Sequence, residues 1–277
     1  MPELPEVETI RRDLDREFAG KKVKAVQITG ARSVRRGTHD ELTKRVVGRT
    51  FKAVKRRGKY LVVVLDSGEW LVFHLRMSGQ LLKATPKAPK PKHTHVVLEF
   101  THGTQLRFVD PRTFGEAFVV DPARLAEEAP DLDDLGWDPL EDPLPWVDFA
   151  RLVLARRQQL KALLTDQKVI AGLGNIYSDE ALHAAGLRYD RLSNTLTVQE
   201  VRRLFRAIIE IVHEAVAARG SSLADEQYVD LYGKPGSYQE QHQVYAREGK
   251  ACPRCRATLE RTKWGGRSTF YCPACQV

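Results

Sequence analysis

The pattern of hydrophobic and polar residues predicts β-structure in the first half of the chain, behind one leading helix. Apolar residues recur at helical spacing from Val7 to Phe18, after Pro5 at the first helical position, and predict a helix over 5–18. Two pairs of apolar runs follow. KYLVVVL and EWLVFHL are joined by Asp-Ser-Gly, and HVVLEF and TQLRFVD are joined by Thr-His-Gly. Each pair has the form of a hairpin, so this half is predicted to be an antiparallel β-sandwich with a leading helix.

The second half of the chain changes to helical periodicity. Helices are predicted over 149–164, 175–185 and 197–218, and Thr197 with Glu200 forms a capping box at the start of the last one. A long segment over 221–243, rich in Gly, Ser, Tyr and Gln, has no periodicity and is predicted to be a loop. The predicted fold class is therefore α+β.

Charge is distributed unevenly along the chain. The formal net charge is +8, yet residues 121–148 contain ten acidic residues, one basic residue and five prolines, which is typical of a connector between domains. No acidic residue occurs between Leu42 and Leu65, where eight are Lys or Arg. Separate basic patches indicate a polyanion such as nucleic acid as partner, although ordinary solvated basic surface gives the same pattern.

Hydrophobic runs are too short for a membrane span. The longest, from Tyr60 to Leu65, could not cross a bilayer, and the acidic N-terminus lacks the form of a signal peptide. The chain is expected to be cytoplasmic, with no membrane partner.

All four cysteines lie near the C-terminus as two CxxC pairs separated by sixteen residues. This spacing is typical of a structural zinc site with the ligands Cys252, Cys255, Cys272 and Cys275. Two disulfides are the alternative, which a cytoplasmic location disfavours. Four thiolates complete the tetrahedron, so one Zn²⁺ with a structural role is predicted.

Two glycine-rich turns could contact phosphate. GLGN precedes the helix at Asn175, where backbone N–H groups could bind an anion and Lys161 could add charge, although a tight loop between packed helices would look the same. WGGRST lies between the cysteine pairs and presents Arg267, which alone is more typical of a phosphate contact than of a catalytic group.

Six motifs, in order, give the chain a close resemblance to bacterial formamidopyrimidine-DNA glycosylases. They are MPELPEVET, RRGKYL, HLRMSG, DPRTFG, DQKVIAGLGNIY and CPRC…GGRSTFYCPACQ. The resemblance implies an N-terminal β-sandwich, a C-terminal helical helix-two-turn-helix domain and a four-cysteine zinc-finger hairpin, with DNA in the cleft between the two domains. It places the sandwich over 1–130, the connector over 131–148, the helix-two-turn-helix domain with a base-covering loop over 149–242, and the zinc finger over 243–277.

The resemblance also implies a chemistry for the N-terminus. Removal of the initiator Met leaves Pro2 as a secondary amine, which in this family attacks C1′ of the damaged nucleotide and forms an iminium. Glu3 is the acid beside it, and Glu6 is implicated with a less clear role. Lys59 is implied to donate a proton in β-elimination, and Arg267 to bind phosphate and assist δ-elimination. Without the other motifs, these glutamates would be interpreted as acidic residues that favour a helix start.

Further residues are implied to contact DNA. A glycosylase must evert its base and fill the gap, which the resemblance assigns to Met77, Arg112 and Phe114, with Arg112 bonding the orphaned cytosine. Core packing is the alternative for Met77. The implied phosphate contacts are His74, His93, Arg156, Lys161 and Asn175.

Arg219 stands where the family often has the first of two glycines. Preference for particular lesions is therefore the property that the resemblance predicts least well.

The resemblance leaves two other functions open. The predicted activity is a bifunctional DNA glycosylase/AP lyase for 8-oxoguanine and formamidopyrimidines in duplex DNA, acting on abasic sites as well. An endonuclease VIII-like enzyme for oxidised pyrimidines and a non-catalytic zinc-ribbon DNA-binding protein are the alternatives. No oligomerisation signal is present, so a monomer is expected.

Overall fold

The computed structural model describes residues 1–30, 32–223 and 227–277. The chain forms two compact units. The first comprises Met1–Asp134 and Ala218–Ser237, and the second comprises Leu135–Ala217 and Tyr238–Val277. The loop predicted over 221–243 is divided between them, and its residues 224–226 lie outside the described residues.

Helices and strands alternate with short turns in both units. The helices are α1 (Leu4–Phe18), α2 (His39–Val46), α3 (Leu125–Glu128), α4 (Pro130–Asp133), α5 (Trp146–Leu154), α6 (Leu160–Thr165), α7 (Asn175–Ala185) and α8 (Val198–Ala217). The strands are β1 (Val23–Ile28), β2 (Phe51–Arg57), β3 (Tyr60–Leu65), β4 (Trp70–His74), β5 (Gln80–Ala84), β6 (Thr94–Phe100), β7 (Gln105–Val109), β8 (Glu116–Val120), β9 (Glu260–Trp264) and β10 (Arg267–Tyr271). Within the described residues, no helix is long and apolar enough to span a membrane.

The first unit is the predicted antiparallel sandwich with its leading helix. Its two four-stranded sheets have the orders β1-β6-β7-β5 and β2-β3-β4-β8. The apolar stripe of α1, from Val7 to Phe18, joins side chains of both sheets in one buried cluster. The hairpins predicted from sequence are β3-β4 and β6-β7, the central pairs of the two sheets.

The sequence patterns missed the four edge strands and α2. Strands β1, β2 and β5 carry lysine or arginine on their exposed faces, as is typical of edge strands, and this weakens the apolar signal. Helix α2 is short, but its N-terminus has a complete capping box, in which the Glu41 N–H donates to Thr38 Oγ1 at 3.2 Å and the Thr38 N–H donates to Glu41 Oε2 at 2.7 Å.

In the second unit, the prediction of one continuous helix over 149–164 is wrong. It is divided into α5 and α6, because the chain between them is held in extended contact with a neighbouring segment. The Ser193 N–H donates to the Gln158 carbonyl at 2.8 Å, and Gln159 pairs with Leu192. The other two predictions are confirmed: α7 ends at Gly186 in the left-handed conformation (φ 70°), and Thr197 caps α8 with Glu200.

Candidate active site and nucleic-acid interface

The N-terminal segment is buried from Pro2 onward, at the start of α1. Glu6 connects this segment to the start of the unit's second chain portion, Ala218–Ser237. Its Oε2 accepts the Glu3 N–H at 2.8 Å, and its Oε1 accepts the Ser221 N–H at 2.7 Å. Gly220 (φ +80°) is required there, since an added Cβ would lie 2.6 Å from Glu6 Oε1. The structure therefore shows Glu6 as a positioning group, a role that the sequence did not specify.

Lys59 lies in the turn between β2 and β3 and is buried. The guanidinium of Arg56 fixes this turn to α1: Nη1 donates to the Gly58 carbonyl at 3.0 Å, and Nε donates to Glu8 Oε2 at 3.2 Å. Burial alone would raise the pKa of Glu8, but Arg11, Arg12 and Arg56 outweigh it and hold the pKa below its ordinary value. Glu8 is thus a buried carboxylate that ties the turn of Lys59 to the helix that begins beside Pro2 and Glu3.

His74, a predicted phosphate contact, lies at the end of β4 and is buried against the ring of Tyr60. Its Nδ1 accepts the Arg76 N–H at 3.0 Å. Burial, followed by the positive charges of Arg76 and Lys59, holds the pKa of His74 well below its ordinary value. The imidazole is therefore neutral, and its one proton resides on Nε2.

The predicted wedge residues are exposed. Met77 and Phe114 expose 41% and 49% of their surface, and the Arg112 guanidinium lies 5.3 Å from the centre of the Phe114 ring. Single exposed apolar side chains are common on protein surfaces, so this exposure shows only that both side chains are accessible to a partner such as DNA. Core packing is therefore wrong for Met77.

One buried carboxylate, Asp110, holds the wedge loops together. It accepts the Ser78 hydroxyl at 2.5 Å, the Gly115 N–H at 2.6 Å and the Arg112 N–H at 3.2 Å. Its own N–H donates to the carbonyl of His93, an exposed residue with φ +65°. Asp110 and Ser78 thus position the wedge residues and His93, and the sequence analysis identified neither, although Asp110 begins the DPRTFG motif.

In the second unit, Lys161 differs most from its prediction. The side chain is 1% exposed, and Nζ donates to Asp179 Oδ1 at 2.6 Å and to the Asn175 carbonyl at 2.9 Å. Burial raises the pKa of Asp179, against the attraction of Lys161. A direct phosphate contact would require the ammonium to leave this pair, so in this structure Lys161 orients the start of α7.

The remaining predicted contacts of this unit lie at the start of α7, in the β9-β10 hairpin and after α5. Asn175 Nδ2 donates to the Ser268 carbonyl at 2.8 Å, which brings α7 beside the strand that starts with Arg267. Arg267 is exposed, next to the hairpin turn at Gly265 and Gly266. Arg156 is half-buried, and its Nη1 donates to the Leu152 carbonyl at 2.7 Å.

The four cysteine sulfurs form a compact group. All Sγ atoms lie within 4.8 Å of one another, with 3.5 Å between Cys255 and Cys272 and 4.0 Å between Cys252 and Cys275. A tetrahedral zinc with Zn–S bonds of about 2.3 Å separates its sulfurs by about 3.8 Å. The donor set and its dimensions fit a structural zinc held by Cys252, Cys255, Cys272 and Cys275.

These features define a class: a zinc-finger DNA-repair glycosylase with an N-terminal β-sandwich and a helical second unit. Three family models match the chain. They describe the formamidopyrimidine-DNA glycosylase N-terminal domain over 1–117, its H2TH domain over 135–227, and the zinc finger found in FPG and IleRS over 249–277. The chain belongs to the formamidopyrimidine-DNA glycosylase family and is an enzyme of the glycosylase/AP lyase type.

Individual relatives cover the whole chain. The formamidopyrimidine-DNA glycosylases of Pelotomaculum thermopropionicum and Carboxydothermus hydrogenoformans are 43% and 41% identical to it, over 100% of this chain and 99% and 100% of their own. A solved complex of Lactococcus lactis Fpg with DNA containing an abasic site matches with a TM-score of 0.91 and 34% identity, over 99% of both chains. A complex of a mutant of that enzyme with DNA containing Fapy-dG matches with a TM-score of 0.91 and 33% identity, also over 99% of both chains.

Proposed function

We propose that this enzyme removes oxidised purines, 8-oxoguanine and formamidopyrimidines, from duplex DNA and cleaves the strand at the resulting abasic site. The observation that carries the proposal is the N-terminal arrangement: Pro2 and Glu3 are buried at the start of α1, and the turn of Lys59 is tied to the same helix through Arg56 and Glu8.

Removal of Met1 makes Pro2 a secondary amine, and an α-amino group of this kind titrates near about 7.7–8.0. Its position before α1 further disfavours the ammonium form, because the helix N-terminus carries partial positive charge. The nitrogen lone pair attacks C1′, the bond from C1′ to the base breaks, and the departing base gains a proton. Glu3, as the adjacent carboxylic acid, supplies a proton to the leaving base or to the ring oxygen as the sugar opens to the iminium.

Strand cleavage follows from the iminium by elimination. Loss of a proton from C2′ expels the 3′ phosphate, and a second elimination expels the 5′ phosphate. Lys59 is the proton donor for the first elimination, and Arg267 holds the phosphate and assists the second. Met77, Arg112 and Phe114 fill the space of the everted base, and Arg112 bonds the orphaned cytosine. Zn²⁺ would take no part in these steps. Bound by the four cysteines, it would stabilise the hairpin that presents Arg267.

Borohydride trapping tests the proposal on duplexes carrying 8-oxoguanine, thymine glycol or an abasic site. We expect covalent adducts with the oxidised purine and the abasic site, and a sharp loss of both in Pro2→Gly with DNA binding largely kept. Pro5→Ala, which changes the second proline of the same segment, is the matched control and should trap normally. Preferential trapping on thymine glycol would favour the oxidised-pyrimidine enzyme, and binding with no adduct on any duplex would favour a non-catalytic DNA-binding protein.

A further inference from the structure

Helix α7 presents one polar face to the C-terminal segment that contains the cysteines. The contacts come from positions 179, 180 and 183, and spacings of three and four place these residues on one side of the helix. Glu180 accepts the N–H groups of Gln243, Val244 and Tyr245 at 2.8–3.0 Å, and the Asp179 carboxylate accepts the Phe270 N–H at 3.0 Å. The next residue on this face is His183, which the proposed reaction does not use.

The imidazole of His183 is buried, with 3% of its surface exposed, and its Nε2 lies 3.4 Å from Cys252 Sγ. Within the described residues, this sulfur is the only hydrogen-bond partner of the ring. A buried polar side chain with a single partner takes its hydrogen-bonding roles from that partner. A zinc-bound cysteine is a thiolate and can only accept, so the Nε2–H of His183 must be the donor.

Zinc held by four thiolates carries a net charge of −2, and two of the four residues, Cys252 and Cys272, are completely buried. Donors to the sulfurs stabilise such a site, and groups that bond to metal ligands commonly change metal affinity by about 10–100-fold. The backbone N–H of Cys275 donates to Cys272 Sγ at 3.4 Å, whereas Cys252 receives its donor from a side chain of helix α7. His183 lies outside the segment 249–277 that the zinc-finger model matches.

We propose that His183 is a positioning residue for the zinc site: its Nε2–H donates to the Cys252 thiolate and slows loss of the metal. The same contact joins zinc occupancy to α7, whose first residue, Asn175, is bonded to the strand of Arg267. Loss of zinc should therefore loosen the contact of α7 with Cys252 and, through Asn175, the position of the β9-β10 hairpin that carries Arg267. This role depends on zinc binding and is independent of which lesion the enzyme excises.

Zinc release from purified full-length protein into excess chelator, followed with a metallochromic dye, tests the proposal. We expect His183→Phe, which keeps an aromatic ring but has no donor, to release zinc about ten-fold faster or more. His183→Gln, whose amide can place a donor near the position of Nε2, should restore much of the metal retention. His242→Phe removes another buried imidazole of the same unit and should release zinc at the wild-type rate. Wild-type release from His183→Phe, or equal release from the Gln and Phe variants, would overturn the donor role.

Two spectroscopic measurements separate a hydrogen bond from simple packing. In cobalt-substituted protein the sulfur-to-metal charge-transfer band should move to lower energy in His183→Phe, because the thiolate no longer has its donor, and return in His183→Gln. In wild-type protein loaded with ¹¹³Cd, scalar coupling between the metal and the imidazole Hε2 should be observed across the N–H···S contact. This second measurement needs no variant to fold, and absence of the coupling would contradict the proposal.

Discussion

Replacement of Lys161 by Met distinguishes a phosphate contact from a buried positioning group. The ammonium lies 2.6 Å from Asp179, and both side chains are 1% exposed. Removing one partner from a buried pair leaves the other without its counter-charge, so that Asp179 stays charged or takes up a proton, and costs about 3–5 kcal/mol. For a domain of this size, that free energy corresponds to a fall of roughly 10–20 °C in the unfolding midpoint of the second unit.

The double variant K161M/D179N provides the internal control. Asparagine keeps an oxygen for the Phe270 N–H but carries no charge, so the double variant should recover much of the stability that K161M loses. Calorimetry of the four members of this cycle measures the coupling free energy of the pair.

DNA binding gives the decisive comparison. The slope of log Kobs against log [salt], measured on a duplex with an unreactive abasic analogue, decreases by about 0.9 for each phosphate that the protein no longer neutralises. We expect K161M to keep the wild-type slope and R267Q, which changes an exposed predicted contact, to reduce it by about 0.9. If K161M were as stable as the wild type and reduced the slope by the same amount, the structural interpretation would be wrong.

Three further predictions concern separate parts of the molecule. Burial lowers the pKa of His242 to about 4, below the ordinary 6.5, so the unfolded chain binds this proton first as pH falls. The free energy of unfolding should therefore decrease from pH 6.5 towards pH 4. Thermal unfolding of His242→Phe should show a weaker decrease over the same range. Met77→Ala should slow base excision from duplex DNA in single-turnover assays and change the free energy of unfolding by only about 0.5 kcal/mol or less, because the side chain is exposed; a large stability loss would indicate core packing. Chelation of zinc should increase hydrogen exchange across β9 and β10 and leave the central strands β3 and β4 protected; equal exchange in loaded and stripped protein would count against a structural metal.

The sequence predicted the interior of the fold better than its edges. Strands β3 and β4 are almost continuous apolar runs and four of the seven residues of β6 are apolar, whereas β2 carries four basic residues in seven and gives no clear strand signal. Residues 155–159, Ala-Arg-Arg-Gln-Gln, are good helix formers and contain no helix breaker, yet the bridge from Gln159 to Leu192 divides the predicted helix there. That bridge joins residues far apart in sequence, so local patterns contained no sign of it.

The same limit applies to the candidate site. The motifs identified the residues expected to contact DNA, because the residue types of these motifs and their order along the chain are those of the family. They did not identify Arg56, Asp110 or His183, whose importance follows from contacts with distant residues. Lys161 shows the converse case, since a lysine beside a glycine-rich turn looks like an anion contact until its partner, Asp179, is seen 18 positions away.

Peptide mapping of the borohydride-trapped wild-type adduct tests the central claim most directly. After digestion of the protein–DNA adduct, mass spectrometry should find the deoxyribose remnant on the nitrogen of Pro2, in an N-terminal peptide from which Met1 has been removed. An adduct located on a lysine such as Lys59, or full strand cleavage by protein that retains Met1, would contradict the account.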